Sequence, residues 1–255
     1  MPLNIIDRHK QILKKLEENG FVNVNELSIE FNVSLVTIRK DLKLLEERKL
    51  LFRSHGKAIP ANPYITEHPV NFKKKLNAKE KKKIATAAAS TLEPFDTIII
   101  ASGTSVIELA RQIKPIEGLT VLTASLNAAI ILAEHKQIDI MQLGGMLRSS
   151  SSSVVGSIAE KMLAEFTFTK LFLGVDGIDL EYGLTTTNSM EASLNKEMIK
   201  AAQKIIVLAD SSKFSKKGFG RICGLDEIDQ IITDSGIDNK TKNRLIELGI
   251  ELTIV

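Results

Sequence analysis

The sequence predicts two folded units in series. A small α+β unit occupies residues 1–60, and a larger α/β unit with a mostly parallel sheet occupies 78–255, joined by a linker at 61–77. Three observations predict this. Apolar residues recur at helical spacing through the first part of the chain and then give way to a short apolar strand. Pro60, Pro63 and Pro69 punctuate a stretch with no periodicity. From about Ala78 onward, apolar strand-like runs alternate with helical patterns, which implies β-loop-α units and a sheet covered on both faces.

Composition narrows the class. With 44% hydrophobic and 25% charged residues among 255, the chain has the balance of a soluble globular protein. No window approaches the ~20 uninterrupted apolar residues of a membrane span. The start, Met1 to Arg8, lacks the basic, apolar and small-residue segments of a signal peptide. A single cysteine, Cys223, excludes an internal disulfide and fits the reducing cytoplasm. One cysteine and four scattered histidines offer no metal-ligand cluster, and no motif calls for a cofactor. Charge is unevenly spread. Residues 1–60 carry 11 Lys/Arg against 8 Asp/Glu, and residues 61–83 carry 7 against 2, so the rest of this +3 chain is acidic. A polyanion partner for the first part alone is the implication, with a solvated face the alternative for Lys73–Lys75 and Lys81–Lys83.

In the first unit, Asp7–Asn19 reads as a helix with Ile5, Ile12, Leu13 and Leu16 on one face. Asn23 caps a second helix, with Glu26 at the capping-box position and Leu27 and Phe31 turned inward. Ser34 caps a third, Leu35 to about Glu47, that buries Ile38, Leu42 and Leu45 and displays Thr37, Arg39, Lys40 and Lys43. The short strand Leu50–Arg53 and the turn Ser54-His55-Gly56-Lys57 follow. Two short helices joined by a tight turn, the second basic at its start, suit a winged helix-turn-helix whose third helix enters a DNA major groove. Arg39 and Lys40 suit phosphates or guanine edges, and Thr37 a base, a phosphate or a thymine methyl. Arg53, His55 and Lys57 of the wing suit the backbone or minor groove. A salt-bridged helix face is the competing reading for Arg39 and Lys40, since Asp41 is adjacent; Asp41 itself reads as structural.

The run Val33-Ser34-Leu35-Val36-Thr37-Ile38-Arg39-Lys40-Asp41-Leu42, then Leu45-Glu46, then Arg53-Ser54-His55-Gly56, resembles the signature of the DeoR family of regulators. Two positions depart from it: Lys40 stands where arginine is usual, and Lys57 where a second wing glycine is usual. Lys40 keeps the charge but loses the planar fork that reads guanine bidentately. The resemblance implies binding of double-stranded DNA through Ser34, Thr37, Arg39, Lys40, Lys43, Arg53, His55 and Lys57.

In the second unit, helices are expected at 84–92, after Ser102-Gly103-Thr104-Ser105, after Ser125, at 190–203 and at 240–248. Strands are expected at 97–101, 119–123, 138–143, 170–175, 205–209, 228–233 and 250–254. Ser149–Ser153 reads as a plain loop or a lid. Ligands of such sheets bind outside the carboxyl ends of the strands. There Ser102-Gly103-Thr104-Ser105 offers hydroxyls and helix-start amides to an anion. Asp176 and Asp179 offer carboxylates to hydroxyls, and Lys213 a positive charge. Each has an ordinary alternative as a capped turn or a surface lysine.

Together with Leu143-Gly144-Gly145, Gly174-Val175-Asp176-Gly177-Ile178, Glu191-Ala192 and Leu208-Ala209-Asp210-Ser211-Ser212-Lys213-Phe214, these residues resemble the sensor domain of the same family, a Rossmann-like fold similar to ribose-5-phosphate isomerase. The resemblance implies that Ser102, Gly103, Thr104, Ser105 and Lys213 hold a phosphate and Asp176 a sugar, with Glu191 a further candidate. It implies a repressor of carbohydrate or nucleoside genes, controlled by a phosphorylated sugar or polyol and working as a dimer or tetramer. Ala101 and Ala124 replace an acidic residue and an asparagine usual in the family. The rival class is a sugar-phosphate isomerase, whose base must take a proton from carbon. By ungapped alignment its catalytic glutamate falls at Asn195 and its lysine at Thr186, though Glu191 and Glu197 stand nearby. The phosphate-holding parts persist where the reacting parts do not, so no catalytic residue is expected.

Overall fold

The structure, a computed structural model, describes residues 4–19, 21–48, 50–54, 56–60, 73, 74 and 76–255. The wing residue His55 and most of the expected linker 61–77 lie outside the described residues. The chain divides between residues 68 and 69 into two compact units.

The first unit comprises helix α1 (Ile5–Asn19), strand β1 (Val22–Asn23), α2 (Val24–Glu30), α3 (Leu35–Glu47), β2 (Leu51–Ser54) and β3 (Lys57–Pro60). The strands form an antiparallel sheet in the order β1-β3-β2. Ile12 and Leu16 of α1, Leu27 and Phe31 near α2, and Ile38, Leu42 and Leu45 of α3 close one core with Leu51 and Ala58. Ile5, expected on that face, is 47% exposed because it opens the helix beyond the last packed turn. The Asn23 side chain accepts from the Asn25 amide, one position short of the bond a capping box requires. The unit is a winged helix-turn-helix.

In the second unit, α4 (Ala78–Ala89) precedes β4 (Thr97–Ile100), α5 (Thr104–Gln112), β5 (Thr120–Thr123), α6 (Leu126–Leu132) and β6 (Asp139–Gln142). A hairpin β7 (Met146–Arg148) and β8 (Ser153–Val155), then α7 (Ser157–Leu163), lead to β9 (Phe168–Gly174). Next come β10 (Gly177–Asp179), β11 (Gly183–Thr186), α8 (Ser189–Lys200), β12 (Ala202–Leu208), β13 (Gly220–Cys223), β14 (Gln230–Thr233), α9 (Asn239–Glu247) and β15 (Glu251–Ile254).

Seven strands form one wholly parallel sheet in the order β15-β14-β12-β9-β4-β5-β6. Successive side chains on a strand point to opposite faces, and the core divides accordingly. Ile98, Ile100 and Phe172 pack with Ile84, Ala88 and Leu109 on one face; Ile99, Leu171 and Leu173 pack with Leu163, Leu194 and Met198 on the other. Strand order turns back at β4: the chain runs outward through β5 and β6, then returns to β9 on the other side. The crevice at such a reversal is where open α/β sheets take ligands.

Two features were not expected from sequence. β10, β11 and β13 form a small antiparallel sheet. Ser149–Ser152 is the turn of the β7–β8 hairpin, and Ser153 is fully buried in it.

Candidate functional site

On α3, the Ser34 hydroxyl accepts from the Thr37 amide at 3.1 Å and lies 2.9 Å from the Thr37 hydroxyl, so both expected contact residues also form the helix cap. Arg39, Lys40 and Lys43 are exposed. Among the described residues Arg39 and Lys40 enter no ion pair, whereas Lys43 lies 3.8 Å from Glu47. Asp41 does not screen them. It is buried, takes the Arg8 guanidinium at 2.5 and 3.1 Å, and lies 3.1 Å from His9 Nε2. The carboxylate next to the basic face is thus neutralised from inside.

The wing places its two described cations differently. The Arg53 amide and guanidinium donate to the two oxygens of Glu46 at 2.8 and 2.6 Å, and these bonds hold the Glu46 carboxyl below its ordinary value. Lys57 is exposed and sits 5.3 Å from the centre of the Phe21 ring.

In the second unit, the turn after β4 carries Ser102, Gly103, Thr104 and Ser105. Gly103 has φ +123°, which no side-chain-bearing residue adopts easily, and gives α5 a start without a capping side chain. The turn lies against the end of β9: a Cβ on Gly174 would stand 3.1 Å from the Ser102 carbonyl. Thus the expected anion turn and the loop bearing Asp176 meet at the strand reversal.

Asp176 is the hub of that loop. Its Oδ1 accepts from Lys73 Nζ at 2.6 Å and lies 4.0 Å from Lys213 Nζ. Its Oδ2 accepts from the Thr186 hydroxyl and from the Thr187 amide and hydroxyl, at 3.2, 3.2 and 3.3 Å. Burial alone would raise its pKa, but Lys73 and Lys213 and these hydrogen bonds hold it well below the usual carboxylate range. Asp179, by contrast, accepts from the Glu181 and Tyr182 amides and serves its own turn.

A second carboxylate, Asp210, closes the β12 end. Its Oδ1 accepts from Asn77 Nδ2 at 2.8 Å and from the Ser212 amide and hydroxyl. Its Oδ2 is buried and has no protein partner among the described residues. Burial opposes its charge, yet Lys213, Ser212 and Lys81 keep its pKa low, so it stays an acceptor. Lys81 is itself buried and donates to the carbonyls of Lys73 and Leu76 at 2.8 and 2.6 Å.

Glu191, on α8, pairs with Arg148 of the hairpin at 2.8 Å. The Thr186 hydroxyl lies 3.2 Å from Asp176 and 3.4 Å from Glu191, so its one hydrogen can be donated to either carboxylate. Asn195 and Thr186, where an isomerase would place its glutamate and lysine, are both buried and carry no ionisable group.

Sequence reasoning named Lys73 and Lys81 only within a basic stretch or solvated face, though Lys81 is buried, and it missed Asn77 and Arg148. A signal existed for Lys81, which shares the i, i+3, i+4, i+7 stripe with Ile84, Ala85 and Ala88. The others are brought in from distant segments, which no local pattern reveals.

A winged helix-turn-helix with an unscreened basic helix, joined to a separate parallel α/β unit, defines a DNA-binding transcriptional regulator with its own sensor. Comparison with known proteins makes this specific. Residues 8–63 match the DeoR-like helix-turn-helix domain, and residues 76–235 match the DeoR C terminal sensor domain. The chain belongs to the DeoR family of transcriptional regulators. It is 38% identical over 252 residues to a putative aga operon transcriptional repressor of Escherichia coli O157:H7, covering 98% of this chain and 93% of that one. It is 34% identical over 251 residues to an uncharacterised helix-turn-helix regulator of Bacillus subtilis, covering 98% and 97%. Among solved structures, the ribose 5-phosphate isomerase of Methanocaldococcus jannaschii superposes with a TM-score of 0.42 at 17% identity, over 55% of this chain and 56% of that one. No described helix is long and apolar enough to cross a membrane.

Proposed function

We propose that the chain is a repressor of carbohydrate or nucleoside metabolism genes whose grip on operator DNA is set by a phosphorylated sugar or polyol. In this reading residues 1–60 bind DNA, 61–77 link, and 78–255 sense the effector and hold the oligomer, a dimer or tetramer. Such modules commonly dimerise on paired half-sites. The protein works in the cytoplasm and is not an enzyme, because the positions that would supply an isomerase's base and lysine are Asn195 and Thr186.

The observation that carries the effector reading is the meeting of two ammonium groups, Lys73 and Lys213, on one carboxylate beside the Ser102-Gly103-Thr104 turn at the strand reversal. Lysines and turn amides suit a phosphate; Asp176 and the unpartnered Asp210 oxygen suit hydroxyls. Thr104 and Ser105 open α5, and Glu191 stands behind Asp176 through Thr186.

Two measurements test the reading. In gel shifts with DNA from upstream of its own gene, wild type binds selectively, Arg39→Ala does not, and one phosphate ester changes the binding. In thermal-shift titrations that ester raises the melting temperature, and Thr104→Ala and Lys213→Ala abolish the rise. An ester response untouched by both substitutions removes the site assignment. Turnover of a sugar phosphate by the purified chain removes the non-enzyme reading.

A further inference from the structure

The side chains at the start of α3 divide into two kinds. Ser34 and Thr37 carry the hydroxyls that suit a base, yet each already has a partner in the other. The Ser34 hydroxyl accepts from the Thr37 amide and lies 2.9 Å from the Thr37 hydroxyl. Leu35 and Val36, between them, are apolar and exposed, Leu35 at 39% and Val36 at 58%. Neither joins the core of the first unit, which takes Ile38, Leu42 and Leu45 from α3. At about 3.6 residues per turn, Val36 lies across the helix from that buried stripe. Lys40 and Lys43 follow it one and two turns along the same face, and Arg39 stands beside them.

Residues on a basic face have different tasks on a duplex. Contacts to phosphates fix position and carry no sequence information directly. The residues that open the second helix of a helix-turn-helix are those that reach base edges. Val36 is the second residue of α3. In the major groove the apolar feature of a base pair is the C5-methyl group of thymine; the other bases present donors and acceptors there. A valine meets that methyl group at little entropic cost, because its χ1 is already restricted in a helix. A single exposed valine is ordinary on a protein surface. This one is centred among three cations, has no packing role, and sits where base edges arrive.

We infer that Val36 is a specificity-determining residue that reads the methyl group of a thymine in the operator, with Leu35 closing the contact from the flank of the helix. This rests on α3 being the helix that enters the major groove, and it names a base that the helix selects. Lys40 and Lys43 hold the helix against the phosphates, and Val36 supplies a preference among sequences. The contact takes apolar surface of both partners out of water and asks for no hydrogen-bond geometry. Cytosine at the same position, which lacks the methyl group, forfeits it. The operator therefore carries a thymine at one fixed position in each copy of the site.

The test uses the full-length protein and duplexes that it selects from a random pool, with affinities read by fluorescence anisotropy. Replacing thymine by uracil removes the methyl group and leaves the pairing edge as it was. At one thymine position, uracil should weaken wild-type binding about fourfold for each copy of the site, the effect of one buried methyl group. Val36→Ala should bind the thymine duplex at least as weakly and be indifferent to uracil at that position. Lys43→Gln should weaken binding and keep the uracil effect. Selection with Val36→Gln should change the preferred base at that position alone. A uracil effect of the same size in wild type and Val36→Ala overturns the inference and leaves the repressor reading standing. A wild type indifferent to uracil at every thymine does the same, and that comparison needs no variant to fold. A wild type that selects no sequence removes both the repressor reading and the inference.

Discussion

Lys81 occupies a helix position that packing would give to an apolar side chain. Burial pushes its pKa from 10.5 down to about 8, with Lys213 and Lys73 acting in the same direction against Asp210 and Asp176. Between those values the unfolded chain binds more protons than the folded one, so Lys81 adds stability as pH rises from about 8 towards 10.5. The limiting slope is about 1.4 kcal/mol per pH unit. Cys223 acts oppositely: burial raises its thiol to about 12, so the folded state keeps a proton that the unfolded state loses above 9. Urea melts of wild type and Lys81→Met at several alkaline pH values isolate the lysine. Their stability difference should change steadily across its window, and a constant difference would refute the shift. Asp41 makes a second residue-scale case. Removing one partner of a buried ion pair costs about 3–5 kcal/mol, so Asp41→Ala should unfold the first unit and abolish DNA binding without touching DNA. Circular dichroism of the variant distinguishes that from a lost contact.

At the scale of elements, the small sheet β10-β11-β13 sets where the Asp176 loop can go. β11 starts at Gly183, with φ +88° and the Cys223 carbonyl so close that an added Cβ would lie 2.1 Å from it. Gly183→Ala combines backbone strain with a clash against main chain and should cost about 2–4 kcal/mol in thermal unfolding. This sheet was not legible in sequence because its strands are three or four residues long and pair across a gap that contains α8 and β12. The parallel strands were legible where they are central: β4 carries Ile98-Ile99-Ile100 and β12 Ile205-Ile206-Val207-Leu208, continuous apolar runs as burial on both faces requires, whereas the edge strands β6 and β15 are partly exposed. Helix α3 was legible for the opposite reason. Its apolar stripe, its Ser34 cap and its basic face all lie within fourteen successive residues, so local pattern suffices.

For the whole molecule, the charge division between a basic start and an acidic remainder has a measurable consequence. Binding to DNA releases counterions in proportion to the phosphates neutralised, so affinity should fall steeply with salt. Arg39→Ala should lower the slope of log affinity against log salt by about 1 if Arg39 sits on a phosphate. If it reads a guanine edge instead, the variant should lose selectivity between operator and random DNA with little change in slope. Fluorescence anisotropy at several salt concentrations separates the two. The same titration with and without ligand reads the coupling between the units, typically about 1–3 kcal/mol in regulated proteins.

By itself the sequence determined the class of each unit, the order of the parallel strands along the chain, the helix with the exposed basic face and the turn Ser102-Gly103-Thr104. Hydrophobic period, caps and glycines are local, and these features depend on nothing else. Tertiary structure alone decided which charges meet. Lys73 reaches an aspartate 103 positions away, Arg8 neutralises Asp41 across 33, and Arg148 finds Glu191 from a hairpin. The strand order that sets β9 between β4 and β12, and so brings the Asp176 loop beside the ends of both, is a long-range choice. A lone charge in sequence carries no mark of its partner, because electrostatic pairing depends on distance in space and not on distance along the chain.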